Sequence, residues 1–365
     1  MTELKYQISI TLIPGIGDIL AKKLIAYCGS AEGVFKEKKQ NLLRINGVGD
    51  AIAQAIINQN VYKRAEEEIE FIHKHNIRPL FYLEKSYPSR LKNCYDSPVM
   101  LYYKGNSNLN HQKVISIVGT RNMTEYGKAI CEKLVQDLVA HSPIIVSGLA
   151  YGVDICAHKA ALNNNLETVG VLAHGLDRIY PSLHKSTAEK MLQQGGLITD
   201  FLSKTNPDRE NFPKRNRIVA GMADAVIVVE AGNKGGALIT ADIANSYNRD
   251  VFAVPGKLND TYSQGCNRLI KTNKAALIES MKDLEYLLGW QLNDAKKAEQ
   301  KKLFLTLNKE EEILVDLLRA KGNLPIDELC FESNISLSKL SMLLLNLEFN
   351  GVLKSLPGKV YQLID

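Results

Sequence analysis

The chain has 365 residues, of which 45% are hydrophobic, and its formal net charge is +5. This length suits two or three domains, and the apolar content is sufficient for a sizeable core. No apolar run approaches the ~20 residues of a membrane span, and the N-terminus lacks the pattern of a secretory signal. The composition therefore predicts a cytoplasmic protein with no membrane contact. The small positive net charge is compatible with nucleic-acid binding but is not evidence for it.

The six cysteines are widely separated, and no Cys-x-x-Cys pair occurs among them. Neither a zinc site nor a disulfide framework is therefore indicated, and the thiols are expected to be buried in a reducing cytosol. Asp154 and His158 lie one helical turn apart and could share a metal ion, but no third ligand is evident in the sequence. No metal is therefore predicted.

Residues 1–65 read as a module of short helices. The pattern Ile13-Pro14-Gly15-Ile16-Gly17 is repeated about thirty residues later by Ile45-Asn46-Gly47-Val48-Gly49. The repeat resembles tandem helix-hairpin-helix motifs of a SAM-like domain, in which glycines allow a tight turn and the next helix N-terminus can hold a phosphate. The pattern equally suits a packing module without DNA contact, and both roles stay open.

Residues 66–290 are predicted to form an extended Rossmann-like α/β domain. After a helix that extends to about residue 80, the segment 97–105 alternates as a strand and is expected to join the sheet at its edge. Five short apolar runs then alternate with helical patterns, and each run ends near a glycine, as in βαβ units of a parallel sheet. These runs are Val114–Val118, Ile144–Ser147, Val169–Leu172, Ala225–Val229 and Val251–Val254.

The C-terminal part is predicted to be a winged helix that follows a linker. Residues 291–304 contain four lysines and little that is apolar, so they read as a solvated linker or, alternatively, as a basic DNA tether. Residues 305–365 show three helical patterns and a β-hairpin. The third helix offers only Lys339 among many apolar residues, whereas DNA reading requires a basic helix. A protein-contact or structural role is therefore favoured for this domain.

The loops that follow the predicted strands carry the candidate chemistry, because ligands of parallel sheets bind at the carboxyl ends of the strands. The first strand ends in Gly119-Thr120-Arg121, so the Gly-x-Gly-x-x-Gly fingerprint of dinucleotide cofactors is missing, and no cofactor is predicted. Gly119 allows backbone approach to a phosphate, and the Arg121 guanidinium can bind one bidentately. Ser147 and Gly148, at the end of the second strand, keep the crevice floor open.

The strongest basic cluster is the segment 211–217, which contains Phe212, Lys214, Arg215, Asn216 and Arg217. Cations that follow a backbone, together with an aromatic ring on which bases stack, are typical of single-stranded nucleic-acid binding. If a helix starts after Pro213, Lys214 and Arg217 share a face and Arg215 turns aside. The loop around Gly235 leads into another helix and can also hold a phosphate.

These motifs resemble the DNA-processing protein A family (DprA, also called Smf). They occur in the order of that family and cover about 140 residues: Ile117–Arg121, Ser147–Ala150 with Asp154 and His158, Gly175–Asp177 with Tyr180-Pro181, Phe212–Arg217, Leu238–Ala241 and Val251–Gly256. The resemblance implies an extended Rossmann fold, single-stranded DNA binding, a homodimer formed through the Rossmann-like domain, and loading of RecA recombinase in natural transformation. His184 departs from the family pattern, which usually has asparagine after Tyr-Pro.

Two classes of function are thus open. The leading hypothesis is a non-catalytic single-stranded DNA-binding protein whose site comprises Gly119, Arg121, Ser147, Gly148, Phe212, Lys214, Arg215, Asn216, Arg217 and Gly235. The alternative is a nucleotide-processing enzyme of the phosphoribohydrolase (lysine decarboxylase-like) fold group. That group carries a catalytic glutamate after a glycine-rich loop, and here Thr240-Ala241-Asp242 stands near that place, so no catalytic residue is predicted.

Overall fold

The computed structural model describes residues 2–290, 307–356 and 359–364, so the predicted linker at 291–304 lies outside the described residues. The chain divides into two compact units, Met1–Leu292 and Asn293–Asp365. The proposed boundary between a helical module and a sheet domain at residue 65 falls within the first unit. In the described part of the chain, none of the helices combines the length and the apolar character that a bilayer crossing requires.

The N-terminal part of the first unit consists of six helices: α1 (Thr2–Leu12), α2 (Asp18–Cys28), α3 (Ala31–Lys36), α4 (Lys39–Leu42), α5 (Asp50–Ile57) and α6 (Tyr62–Lys74). The two repeated glycine motifs form the turns before α2 and α5. Gly15 and Gly47 adopt φ angles of 82° and 98°, in the left-handed region where glycine is favoured. The repeat in the sequence therefore corresponds to two similar helical hairpins.

A nine-stranded sheet forms the centre of the first unit. Its strands are β1 (Arg78–Phe81), β2 (Met100–Gly105), β3 (Val114–Val118), β4 (Ile144–Ser147), β5 (Thr168–Val171), β6 (Gly195–Thr199), β7 (Ala225–Val228), β8 (Asp250–Ala253) and β9 (Ala276–Leu277). The spatial order is β1-β2-β6-β5-β4-β3-β7-β8-β9. All pairings among the strands β3 to β9 are parallel, as the sequence predicts, whereas β2 pairs antiparallel with β6. The direction of strand addition reverses at β3.

Three strands of this sheet, β1, β6 and β9, were not expected from the sequence, and one prediction about the sheet is wrong. The segment 97–105 does supply a strand, β2, but β2 is not at the edge, because β1 pairs with its outer side and β6 with its inner side. The helix expected to extend to residue 80 ends at Lys74, and β1 follows. Pro79 is tolerated in β1 because an edge strand does not need every N–H for pairing.

Helices cover both faces of the sheet. They are α7 (Ser89–Lys92), α8 (Glu125–Asp137), α9 (Val153–Asn163), α10 (Lys185–Met191), α11 (Asn211–Met222), α12 (Gly236–Ser246), α13 (Gln264–Lys271) and α14 (Met281–Leu288). The inner strands are buried on both faces, since one apolar core packs under α11 and α12 and another under α8 and α9. This arrangement places the loops after β3, β4 and β7 together at one edge.

The N-terminal helices share a core with the outer strands of the sheet. This core joins apolar residues of α1–α6 to Phe81, Val99, Met100 and Tyr102. A polar contact reinforces it, because the buried Glu68 carboxylate of α6 accepts hydrogen bonds from the Ser203 backbone N–H and hydroxyl. The module is therefore packed onto the sheet rather than tethered to it.

The second unit is a winged helix, as predicted. It contains α15 (Lys309–Lys321), β10 (Leu324–Pro325), α16 (Ile326–Ser333), α17 (Leu337–Phe349), β11 (Leu353–Leu356) and β12 (Val360–Leu363), with the three strands in the order β10-β12-β11. The helix α17 carries one lysine, Lys339, which is paired with Glu310 at 2.6 Å. Several large apolar side chains of this unit are exposed, including Phe331 and Phe349.

Candidate nucleic-acid interface

A groove of about 780 Å³ opens at the carboxyl ends of β3, β4 and β7. We call it the central groove. The predicted site residues that line it are Gly119, Arg121, Gly148, Phe212, Arg215, Asn216 and Gly235. It lies at the strand where the sheet order reverses, which is the usual place for a ligand of an open parallel sheet.

Arg121 lies on an aromatic ring at the mouth of the central groove. Its guanidinium carbon is 5.2 Å from the centroid of the Phe212 ring, in cation–π geometry, and the Tyr180 ring lies 6.2 Å from that of Phe212. The side chain is exposed, and no carboxylate among the described residues forms an ion pair with it. We call Arg121, Phe212 and Tyr180 the aromatic ledge; it offers a planar cation and two ring faces to a ligand.

The glycine before Arg121 is required by packing inside the protein. A Cβ at Gly119 would collide with the Val153 side chain at the start of α9 and approach the Glu230 backbone carbonyl to 2.9 Å. The sequence-based expectation assigned this glycine to phosphate approach. The structure supplies a second reason, the close contact between α9 and the end of β3.

Two buried charged groups, the Asp154 carboxylate and the Arg215 guanidinium, lie at the floor of the central groove. A Cβ at Gly148 would collide with both of them, so glycine leaves the space that these side chains occupy. Arg215 also donates a hydrogen bond to the Val171 carbonyl. Burial raises the pKa of Asp154, and the nearby Arg215 guanidinium opposes that rise. Arg215 thus contributes positive potential to the central groove from a fixed, buried position at its floor, and it is not a mobile surface charge.

The N-terminus of α12 points its free backbone N–H groups at the central groove. Gly235 precedes the helix without a side-chain cap, and nothing lies within 4 Å of the position where its Cβ would be. Asn216 donates a hydrogen bond of 3.3 Å to the Gly236 carbonyl and holds this loop in place. An uncapped helix start beside cations is a favourable place for a phosphate.

Ser147 does not line the central groove. It is fully buried, and its hydroxyl donates to the Ile117 carbonyl at 2.5 Å, which ties β4 to β3. Its side chain therefore serves the sheet. Direct contact of Ser147 with DNA stays a prediction.

Lys214 and Arg217 share one face of α11, as expected, but that face lies outside the central groove. Both line a second groove, which we call the hairpin groove, together with the glycine turns before α2 and α5. Arg217 forms ion pairs of 2.8 Å with Asp18 and 2.7 Å with Asp200. Burial would lower the pKa of Arg217, but these two carboxylates outweigh burial and raise it. Its charge is thus already compensated, whereas Lys214 is exposed and 4.0 Å from Glu210.

The structure adds residues that sequence reasoning did not select. Arg209, Lys234, Tyr180 and Asp154 also line the central groove. Arg209 and Lys234 are exposed and make no ion pair with any described residue. Lys234 could have been found, because it lies within the glycine-rich loop beside Gly235. Arg209 lies in a loop before α11 that has no regular pattern.

His158 is a structural residue. It is fully buried, with Nε2 2.6 Å from the Gly148 carbonyl and Nδ1 2.6 Å from the Thr168 hydroxyl. Burial lowers the pKa of His158 to about 4, so the ring is neutral at physiological pH. The described residues contain no cluster of three potential metal ligands, either here or elsewhere.

Both units match known protein families. A model of the DNA recombination-mediator protein A family matches residues 78–289, which is more than half of the chain, and a DprA winged-helix model matches residues 301–359. The chain belongs to the DNA recombination-mediator protein A family. The family assignment predicted from the motifs is therefore confirmed, as is the α/β fold with a C-terminal winged helix.

Individual relatives of this family match most of the chain. The protein Smf of Synechocystis is 35% identical over 297 residues, which cover 79% of this chain and 73% of that protein. The crystal structure of DprA from Streptococcus pneumoniae is 33% identical, with a TM-score of 0.64 and coverage of 77% of this chain and 97% of that one. A DprA structure from Helicobacter pylori, described for its single-stranded DNA binding mode, is 29% identical, with a TM-score of 0.53 over 59% of this chain and 96% of that one.

Proposed function

We propose that this protein binds single-stranded DNA in the central groove without catalysing a reaction on it. The observation that best supports this proposal is the aromatic ledge, where Arg121 has no carboxylate partner among the described residues and lies over Phe212. Arg209, Arg215 and Lys234 add positive charge around it, against one lining carboxylate, Asp154. Stacking faces combined with uncompensated cations suit a strand whose bases are unpaired.

The enzymatic alternative is less well supported. A phosphoribohydrolase-type reaction needs a carboxylate after the glycine-rich loop, and the nearest candidate, Asp242, is ion-paired with Lys274 at 2.8 Å and does not line the central groove. Asp154 is buried near the Arg215 guanidinium, which suits a structural role. Incubation with nucleoside monophosphates should release no free base, and measurable release would reinstate the alternative.

We further propose that the protein forms a homodimer through its sheet domain and helps to load RecA recombinase onto incoming DNA in natural transformation. Membership in the recombination-mediator family supports both statements. We keep the organisation into a helical module (1–65), a sheet domain (66–290), a linker (291–304) and a winged helix (305–365) as part of this proposal. Light scattering and RecA filament assembly on protein-coated single strands test the two activities separately.

The DNA-binding proposal is tested by a salt series with single- and double-stranded oligonucleotides. Each phosphate neutralised on a single strand adds about 0.7 to the slope of log affinity against log salt. Four cations around the central groove therefore predict a slope of up to about 3 on single strands. Equal affinity for duplex, or an affinity that does not respond to salt, would contradict the proposal.

A further inference from the structure

A third groove, of about 870 Å³, joins the central groove at Arg121 and runs between α8 and α9. We call it the α8–α9 groove. None of the predicted site residues except Arg121 lies in it. Three lysines line it, Lys128 and Lys133 from α8 and Lys159 from α9, together with the amide side chains of Gln136 and Asn163.

Two of these lysines are uncompensated. Lys133 is paired with Asp137 at 2.7 Å, but Lys128 and Lys159 are exposed and make no ion pair with any residue in the described ranges. The one carboxylate that lines the groove is Glu132, one helical turn from Lys128. Arg121 and the three lysines outnumber this carboxylate in the lining, so the α8–α9 groove continues the positive field of Arg121.

The hairpin groove, which shares Pro213 with the central groove, differs in charge from the α8–α9 groove. Its cations are Lys23, Lys214 and Arg217, but three carboxylates, from Asp18, Asp96 and Asp200, line the same groove. Two of these carboxylates hold Arg217. A polyanion that leaves the central groove past Pro213 thus meets a balanced surface, whereas one that leaves past Arg121 meets a positive surface.

We propose that the DNA strand held in the central groove continues past Arg121 into the α8–α9 groove, with Lys128 and Lys159 bound to its phosphates. This inference rests on the proposed single-stranded DNA binding and gives the strand its direction of exit. The 11 residues of α9 extend about 16 Å, at roughly 1.5 Å per residue. At about 3.4 Å per stacked nucleotide, this length accommodates on the order of three to five nucleotides.

The test compares the variant Lys128→Gln/Lys159→Gln with wild type on oligothymidylates of about 5, 10 and 20 nucleotides. We expect unchanged affinity for the shortest strand, which fills the central groove alone. On the longest strand the salt slope should fall by about 1.4, which corresponds to about 25-fold weaker binding at ~0.1 M salt. The control variant Lys74→Gln/Lys282→Gln removes the same charge from two exposed lysines outside all three grooves and should behave as wild type.

A third variant, Lys23→Gln/Lys214→Gln, examines the opposite direction. In wild type, longer strands should bind more tightly than short ones. If Lys23→Gln/Lys214→Gln abolishes this increase in affinity and Lys128→Gln/Lys159→Gln does not, the strand leaves through the hairpin groove and our inference is wrong. An unchanged slope in Lys128→Gln/Lys159→Gln also overturns the path but leaves binding in the central groove intact. By contrast, failure of the wild-type protein to bind any of the strands overturns the proposed function itself.

Discussion

Replacement of Arg121 by lysine separates charge from geometry at the aromatic ledge. The guanidinium is exposed and lies 5.2 Å from the Phe212 ring centroid, so it can bind a phosphate with two N–H groups while it remains stacked. Lysine keeps the charge but cannot form the planar fork. We therefore expect Arg121→Lys to retain the salt slope of wild type and to lose much of the affinity.

The magnitudes follow from the contacts. The cation–π contact with Phe212 is already present in the free protein, so it does not count toward DNA affinity. A hydrogen bond to a charged group contributes about 1.5–3 kcal/mol. Arg121→Ala should thus cost about 1.5–3 kcal/mol or more of binding free energy and lower the salt slope by about 0.7. Arg121→Lys should cost about 1.4 kcal/mol or more, which is at least about tenfold in affinity, at an unchanged slope.

Fluorescence anisotropy with a labelled single strand at several salt concentrations measures both quantities. Lys214→Arg and Lys214→Ala serve as matched controls. Lys214→Arg should leave both the affinity and the salt slope unchanged, and Lys214→Ala should change no more than the salt slope. Arg121 has no ion pair among the described residues, and its contact with Phe212 is worth only about 0.5–1 kcal/mol at an exposed site. The melting temperature of its variants should therefore change by a few degrees at most. Wild-type affinity in Arg121→Lys would show that Arg121 supplies charge alone and would refute the bidentate contact.

Three further outcomes are expected. Arg217→Ala should lower the free energy of unfolding by about 3–5 kcal/mol, because Asp18 and Asp200 lose their shared cation; an unchanged urea midpoint with a reduced salt slope would instead place this arginine on DNA. Deletion of residues 305–365 should change single-strand affinity less than tenfold, or ~1.4 kcal/mol, in the same anisotropy assay, and a larger loss would assign DNA contact to the winged helix. The free energy of unfolding should fall by about 3 kcal/mol as pH drops from about 6.5 to 4, because the unfolded chain protonates His158 and the folded chain does not; His158→Gln should flatten this decline in urea titrations, and an equally steep decline in the variant would show that His158 is not its source.

The parallel part of the sheet could be predicted because its strands are short apolar runs that end at glycine. The strand β6 was not predicted because it begins with Gly195 and Gly196, and consecutive glycines usually indicate a turn. Both glycines are needed there. Cβ atoms on them would collide with the Thr168 backbone of β5 and with the Tyr103 ring of β2, respectively. Close packing between neighbouring strands is a long-range property that no local pattern reveals.

The candidate site, like the sheet, could be predicted in part from the sequence. Residues in loops directly after strands, such as Arg121 and Gly148, were placed correctly at the central groove, because topology alone brings those loops together. The helical periodicity around Arg217 also gave the right face. Its partner Asp18, however, lies 199 positions away, so the sequence could not show that this cation is already neutralised.

The core shared by the N-terminal helices and the outer strands limits how the chain can be shortened. A fragment restricted to residues 78–289, the range of the family match, would leave the rings of Phe81 and Tyr102 without cover. Two such rings correspond to roughly 300–500 Å² of apolar surface, as much as the largest patch on a typical monomer. Such a fragment should aggregate on expression. The smallest fragment that remains in solution should therefore begin at α1, although the central groove itself is lined by residues from 118 onward.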